Sequence, residues 1–383
     1  MPKGWQLSKK EKAKFVVTPW EVRGEVDYEK LVKKFGTQPI DEGLLHRIER
    51  HAGGLHLFLR RGIFFSHRDL DWILDMYEKG EGFFLYTGRG PSGHTHLGHL
   101  IPWIFTKHLQ DVFGSELYFQ LTDDEKFLVK RELSIEDVTG FSYENALDVI
   151  ACGFDPKKTF IFSDFGYAKT IYKLAVQVAR HVTFSTAKAV FGFTGESNIG
   201  IVFFPAIQAV PCFLPSVLKG KNIPCLIPAA IDQDPYWRGV ARYVAPKLGF
   251  YKPAQIHCKF LPGLGPGGKM SASEPETSIF TTDTKESIEA KIMNAFTGGQ
   301  PTLKEQKEKG GDPSVCSIFQ YYYYLFEEDD EKLRKLYDGC KTGGIFCGEC
   351  KKRLAERVVK FIEEHQERRE RARSKLEDFM LKD

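Results

Sequence analysis

Short apolar runs that fit strands alternate along the chain with longer segments whose apolar residues recur every three or four positions, as helices require. Phe83-Phe84-Leu85-Tyr86-Thr87, closed by Gly88, predicts a buried strand. Beyond the next turn Leu100, Ile101, Ile104, Phe105, Leu109, Val112 and Phe113 keep the helical step, with Pro102 acceptable only in that helix's first turn. The same reading predicts strands at 117–121, 160–162 and 225–227, and helices at 143–150 and over most of 171–190. Asp234 is placed to cap a further helix, with Pro235 at its first position, running to about Leu248.

Strands alternating with helices predict the α/β class: a Rossmann-like, doubly wound parallel sheet covered on both faces. Ligands of such sheets sit beyond the carboxyl ends of the strands, where the strand order reverses. From about Lys285 the strand signals stop and the helical period takes over, which predicts an all-helical C-terminal domain. The expected division is an N-terminal extension at 1–80 packing on the catalytic domain, a sheet domain at 81–284 and a helical domain at 285–383. No fixed-period repeat interrupts this alternation.

Composition narrows the class of protein only a little. With 383 residues, 42% apolar and 27% charged, the chain suits a globular protein of about two domains. The net charge is +3, so any affinity for nucleic acid has to come from a local basic face. Residues 351–375 carry ten Lys or Arg against five Glu. On charge alone that is a solvated helix face, and only neighbouring nucleotide chemistry turns it toward a nucleic-acid backbone. Tyr321-Tyr322-Tyr323-Tyr324 resembles a stacking platform, but consecutive helical residues point all around the axis, so core packing is expected.

The first ten residues contain no apolar run of a secretion signal, and no apolar stretch is long enough to span a bilayer, so a cytoplasmic protein is expected. The eight cysteines are expected to be reduced. Cys340, Cys347 and Cys350 include a C-x-x-C spacing, but no fourth ligand stands at a convincing distance in sequence, and no metal site is expected.

The candidate chemistry lies at the predicted strand ends. Thr87-Gly88-Arg89-Gly90-Pro91-Ser92-Gly93 is a glycine-rich turn that lets backbone approach a ligand, with Arg89 available to an anion. His96-Leu97-Gly98-His99 places two histidines around a helix start, where N–H groups favour anions, and Gly98 leaves room for a flat base. Far downstream, Lys269-Met270-Ser271-Ala272-Ser273 follows a loop too rich in glycine and proline for regular structure, one able to close over a nucleotide. Thr122-Asp123-Asp124-Glu125-Lys126 has the form of a capping box, with Thr122 as cap and Glu125 three residues on. The adjacent aspartates are not assigned as magnesium ligands, since two acids at a helix start are common for dipole reasons.

The pair H-L-G-H and K-M-S-A-S resembles the two signatures of class I aminoacyl-tRNA synthetases. With Tyr86–Ser92, Gln120–Lys126, Phe204-Pro205-Ala206-Ile207-Gln208-Ala209 and Ala230-Ile231-Asp232-Gln233-Asp234-Pro235-Tyr236, the chain resembles the eukaryotic cytosolic tryptophanyl-tRNA synthetases from about Val16 onward. That resemblance implies activation of L-tryptophan by ATP with Mg²⁺, then transfer to tRNA(Trp), in a homodimer whose helical domain binds the anticodon. It implies that Tyr86 and Gln120 face the indole N–H and that Glu125, Gln208 and Gln233 hold the amino and carboxylate ends. Arg89, Gly90, His96, Gly98, His99, Lys126, Lys269 and Ser271 are implied to contact ATP, with His96, His99, Lys126, Lys269 and Ser271 as the catalytic set.

Two features depart from the family pattern. Gly93-His94-Thr95 makes the first loop one residue shorter than the resemblance implies, which leaves the role of His94 open, and no helical hairpin is expected ahead of the catalytic portion. A tyrosyl enzyme of the same fold and a nucleotidyltransferase remain the alternatives; Gln120, an indole-matched acceptor, stands against the first and the long helical tail against the second.

Overall fold

The computed structural model describes residues 26–383 and two short backbone segments, Val16–Val17 and Val22–Arg23, which pair antiparallel. The first ten residues, read above for a leader, lie outside the described residues. Seven strands form one sheet: Gln38–Pro39 (β1), Phe64–Arg68 (β2), Phe84–Arg89 (β3), Leu117–Leu121 (β4), Thr159–Ser163 (β5), Cys225–Ala230 (β6) and Ala254–Cys258 (β7).

Their spatial order is β1-β2-β7-β6-β3-β4-β5. The run from β7 to β5 is parallel, while β2 joins β7, and β1 joins β2, antiparallel. The chain winds outward from β3 through β4 to β5, then returns to lay β6 on the other side of β3. Strand order therefore reverses between β3 and β6, and the cleft opens at their carboxyl ends. The antiparallel edge was not anticipated, since Gln38–Pro39 is too short to leave a periodic signal.

Alternation along the buried strands sends side chains to two separate cores. Leu85, Leu117, Phe119, Ile161 and Leu226 pack on one face with the helix Leu97–Phe113 (α1) and much of the C-terminal region. Phe84, Tyr86, Tyr118, Phe162 and Ile227 face the other way, against Ala168–Ala179 (α4) and Ile199–Ala209 (α5). Asp123–Val129 (α2) and Ile135–Ala151 (α3) lie between β4 and β5 in the chain. No strand follows β7 among the described residues; Lys285–Met293 (α6) and the 26-residue Cys347–Ala372 (α7) dominate that part.

Four expectations need correction. Helix α1 begins at Leu97, so Pro102 sits in its second turn; the residue four positions back, whose carbonyl the ring would crowd, is Gly98, and Thr106 Oγ1 donates to the Pro102 carbonyl at 2.7 Å. The stretch 171–190 is two helices, because the chain breaks before Thr183, which caps Phe184–Phe191. Asp234 does not cap: its fully buried carboxylate is held by Arg68 (Nε–Oδ1 2.5 Å) and Arg238 (Nε–Oδ2 3.0 Å), and the helix it enters is interrupted by a π turn at Trp237–Ala241.

The basic stripe of 351–375 is the fourth. Arg368 donates to the Ala151 carbonyl at 2.8 Å, Lys351 to that of Met293 at 2.8 Å, and Arg357 to that of Phe326. Arg369 pairs with Glu144 and Asp148, and Arg373 with Glu144. Half of the stripe thus docks α7 on its neighbours instead of lying free. The tyrosine run is core as expected: Tyr321, Tyr322 and Tyr324 are buried, and the hydroxyls of Tyr323 and Tyr324 donate to the carbonyls of Arg61 and Phe260.

Candidate active site

The two signature segments meet in one cleft. Arg89, Gly90, His96, Gly98, His99, Lys126, Lys269 and Ser271 line the same cavity as Glu125, Gln208 and Gln233. Backbone pairing ties the segments together: Leu97 N–H donates to the Ile279 carbonyl at 3.0 Å, Thr281 N–H to that of Thr95 at 2.9 Å, and His96 bridges Phe280. The Lys269 loop is pinned at both ends, with Met270 N–H on the Leu261 carbonyl at 2.9 Å and Ser278 Oγ donating to the Ser271 carbonyl at 2.7 Å.

At the start of α1 the His96 and His99 rings stack, with centroids 3.6 Å apart, and the His96 N–H donates to His99 Nδ1 at 3.1 Å. Gly98 keeps the space beside the ring open, since a Cβ there would lie 3.0 Å from the His96 ring and press on it. Three of the N–H groups at this helix start, those of His96, Leu97 and His99, already have partners, so less of the terminus faces the cleft than the motif alone suggests. Burial, then the charges of Arg89 and Lys269, pushes both imidazoles well below the ordinary histidine range. They are neutral rings near pH 7, and the positive charge of the cleft belongs to Arg89, Lys126, Lys259 and Lys269.

Arg89 ends β3 and is held in place by Asn145 (Nε–Oδ1 3.0 Å), the His94 carbonyl (3.3 Å) and the His99 ring (Nη1–Nε2 2.6 Å). Its burial brings it down to about 10. His94 thus has a defined task, as a backbone acceptor for Arg89. Lys126 Nζ lies 2.9 Å from Glu125 Oε1, and a Cβ on Gly90 would come within 2.0 Å of Lys126 Cε. Lys269 Nζ pairs with Asp232 Oδ2 at 3.2 Å, while Asp232 Oδ1 is buried without a partner.

The capping box expected at Thr122 does not form. Its Oγ1 donates to Glu125 Oε2 at 3.1 Å, and the carboxylates of Asp123 and Asp124 accept the N–H groups of Asp124 and Glu125. Turned away from the backbone, Glu125 faces the cleft.

Below the cleft, on the α4–α5 side of the sheet, runs a buried polar chain. Tyr86 OH donates to Gln120 Oε1 at 2.6 Å and accepts from Gln208 Nε2 at 3.1 Å. Gln120 Nε2 donates to both oxygens of Asp164, at 2.8 and 3.0 Å. Asp123, Asp124 and Asp164 bring carboxylate oxygens within 4.8 Å of one another. Burial raises Asp164 well above the carboxylate range and Asp124 to about 6, with the neighbouring acids adding to both. Trp237 sets its ring edge-on to Tyr86 at 6.0 Å.

Asp164, Asp232 and Lys259 belong to the site and were not singled out in the sequence. Asp164 directly follows β5, so the rule that ligands gather at strand ends could have flagged it, and Asp232 lies inside a quoted motif. Lys259, lowered by burial to about 8, follows β7 with no local signature.

The family model described as "tRNA synthetases class I (W and Y)" matches residues 78–363. The tryptophan–tRNA ligase of Pyrococcus abyssi is 55% identical over 368 residues, covering 95% of this chain and 94% of its own, and that of Pyrobaculum aerophilum is 49% identical over 367 residues, covering 96% and 97%. The solved structure of the tryptophanyl-tRNA synthetase from Giardia lamblia superposes with a TM-score of 0.86 at 40% identity, covering 93% of this chain and 96% of that one. The chain belongs to the class I tRNA synthetases of the tryptophan and tyrosine type, and within them to the tryptophan–tRNA ligases. The archaeal sequences match at higher identity than the Giardia enzyme, so the resemblance holds for the family and not for a eukaryotic branch. The tyrosyl and nucleotidyltransferase alternatives fall with it.

Proposed function

We propose that this cleft binds tryptophan and ATP side by side and that the residues assigned here carry out their condensation. The activity is that of a tryptophan–tRNA ligase: L-tryptophan and ATP give tryptophanyl-adenylate and pyrophosphate, and tryptophan then passes to tRNA(Trp). The observation that carries the residue assignment is the convergence of His96 and His99 with Lys269 and Ser271 on one cavity that also holds Glu125, Gln208 and Gln233.

A carboxylate is already a nucleophile, so attack on the α-phosphate needs alignment and charge stabilisation and no general base. Arg89, Lys126 and Lys269 supply cations toward the phosphates. Gly90, Gly98, His96, His99 and Ser271 supply close backbone approach and neutral hydrogen-bonding groups. Mg²⁺ enters with ATP as part of the substrate. Lys269, parked on Asp232, can exchange that carboxylate for the developing pyrophosphate.

Tyr86 and Gln120, fully buried beneath the cleft and not on the lining of its cavity, are assigned as oxygen acceptors for the indole N–H. Glu125 faces the ammonium of tryptophan, with Gln208 and Gln233 near its polar end. A ligand without the N–H leaves those buried acceptors unpaired, which costs far more than a missing methylene.

In this reading 81–284 is the catalytic domain, the described part of 1–80 from residue 26 onward is an extension that lends strands to its sheet edge, and 285–383 binds the anticodon. Exposed Lys352, Arg353, Lys360 and Arg371 remain for the tRNA backbone once the docked arginines are set aside. A cytoplasmic homodimer with tRNA reaching across it completes the proposal; no helix among the described residues is long and apolar enough to cross a membrane. The test is tryptophan-dependent exchange of pyrophosphate into ATP. Exchange that ignores the amino acid, or that survives Lys269→Ala unchanged, defeats the assignment.

A further inference from the structure

The helical region gathers Cys316, Cys340, Cys347 and Cys350, which come from three separate segments, around one small cavity. Cys316 is the fourth residue that the C-x-x-C spacing lacked. It stands immediately before Ser317–Tyr321, Cys340 lies in the last turn of Asp330–Lys341, and Cys347 and Cys350 occupy one face of the first turn of α7. The remainder of the lining is Thr297, Ile318, Phe319, Leu336, Ile345 and Phe346, so the thiols look into an almost wholly apolar space. All four are free.

Thiols packed for bulk alone have no reason to face one another across a common space or to collect donors. Here backbone N–H groups of Gly298, Ile318 and Phe319 point at the Cys316 sulfur. Two glycines let the chain pass close: a Cβ on Gly299 would lie 2.4 Å from Cys347 Sγ, and one on Gly311 2.9 Å from Cys340 Sγ. Cys347 also opens the 26-residue α7, whose positive dipole end lies at the same place.

We propose that Cys316, Cys340, Cys347 and Cys350 are the ligands of a metal centre held by four thiolates. N–H donors and an apolar shell are the surroundings that thiolate-bound metals require. A closed tetrahedral zinc site, with bonds of about 2.3 Å, keeps its sulfurs about 3.8 Å apart. No three of these sulfurs lie within 4.8 Å of one another, so a single zinc requires them to be drawn closer, while four thiolates are equally the ligand set of an iron–sulfur cluster. Such a centre would staple together three segments that lie far apart in the chain.

The test is metal and acid-labile sulfide analysis of the full-length protein purified without oxygen from iron-replete cells, with the visible absorption spectrum recorded. Iron and sulfide at about four each per chain, with an iron–sulfur chromophore, support the proposal. Zinc at one per chain supports the same four-thiolate site with the sulfurs drawn closer. In either case Cys316→Ser and Cys347→Ser should each lose the metal, while Cys152→Ser, at the end of α3, should keep it. Tryptophan-dependent exchange, which uses none of these residues, reports that the variants still fold. Metal-free protein with four thiols that all react with an alkylating reagent overturns the proposal, as does metal that survives both serine variants.

Discussion

Asp164 accepts both hydrogen bonds from the Gln120 amide nitrogen, at 2.8 and 3.0 Å, and so fixes which end of that amide faces Tyr86. With the nitrogen held, Oε1 must point at the Tyr86 hydroxyl 2.6 Å away, and its second lone pair is the one proposed to meet the indole N–H. Asp164 is therefore a positioning residue, placed by β5 to orient an acceptor on β4. Asp164→Ala should free the amide to rotate and leave a buried donor unpaired, at about 1–3 kcal/mol. The KM for tryptophan should rise about 10- to 100-fold, and rejection of phenylalanine should weaken, with a smaller change in kcat. Exchange kinetics with both amino acids check this; an unchanged preference for tryptophan excludes the role.

Lys269 faces the carboxylate of Asp232, and the proposed mechanism turns it to phosphate in the reaction. Lys269→Ala should lower kcat by about 10²–10³, the usual loss when one charge-stabilising donor is removed, with little effect on the KM for tryptophan. Asp232→Asn tests the parking contact at 3.2 Å. It should lower the KM for ATP, because the lysine no longer has to leave an ion pair. A higher KM for ATP in that variant means that Asp232 aims the lysine instead of competing for it.

Gly90 has a steric task that small substitutions expose. A methyl group there would stand 2.0 Å from Lys126 Cε and 3.0 Å from Glu125 Oε2. Gly90→Ala should displace both side chains and abolish most of the exchange activity while leaving the fold intact. Circular dichroism and thermal denaturation separate that outcome from unfolding.

How much of this was legible in the sequence follows from the range of each interaction. Strands such as Leu117–Leu121 and the start of the helical region were readable because burial imposes a period on neighbouring residues. The convergence of His96 with Lys269 was readable because both lie on strand-end loops of a doubly wound sheet. Asp234 was misread, since a capping aspartate and one buried between Arg68 and Arg238 look alike locally. The same holds for Thr122, which turned to Glu125, and for Arg368 and Arg369, whose partners on α3 lie more than 200 residues away. Cys316 was missed as a partner of Cys340 for the same reason. Local pattern names the residue, and only the fold names what it meets.

Acid should destabilise the protein earlier than carboxylate titration alone would. Burial holds His56 and His257 at about 4 and pushes His67, His96, His99 and His108 down as well. Below an unfolded value of about 6.5 the unfolded chain takes up protons that these rings refuse in the folded state. Stability therefore rises with pH through this window, and falls as pH drops from about 6.5 toward the folded values. Asp124 and Asp164 act in the opposite sense, because their raised values make the folded state bind protons first. Denaturant midpoints should thus be level above about pH 7 and decline from about pH 6.5 downward. His257→Gln should flatten part of that decline, and a midpoint rising on acidification from 7 to 6 contradicts the argument.

The seam between α3 and α7 rests on a buried carboxylate. Asp148, almost fully inaccessible, accepts from His365 Nε2 at 3.0 Å and pairs with Arg369 Nε at 3.2 Å. Arg369 also reaches Glu144, so one acid anchors two side chains of the long helix to the catalytic half. Removing that acid leaves His365 without its acceptor and Arg369 with Glu144 alone, so the cost is that of an unsatisfied buried group, about 1–3 kcal/mol. Asp148→Ala should lower the denaturant midpoint accordingly, whereas Asp148→Asn, which keeps an acceptor for His365, should lose less. Because the carboxylate also adds to the charge felt by Arg89, exchange activity should fall modestly in both variants. If α7 is joined to the catalytic half chiefly through this acid, limited proteolysis of Asp148→Ala should release the helical region intact, and cleavage spread evenly over the chain would show that the apolar contacts of α7 hold it unaided.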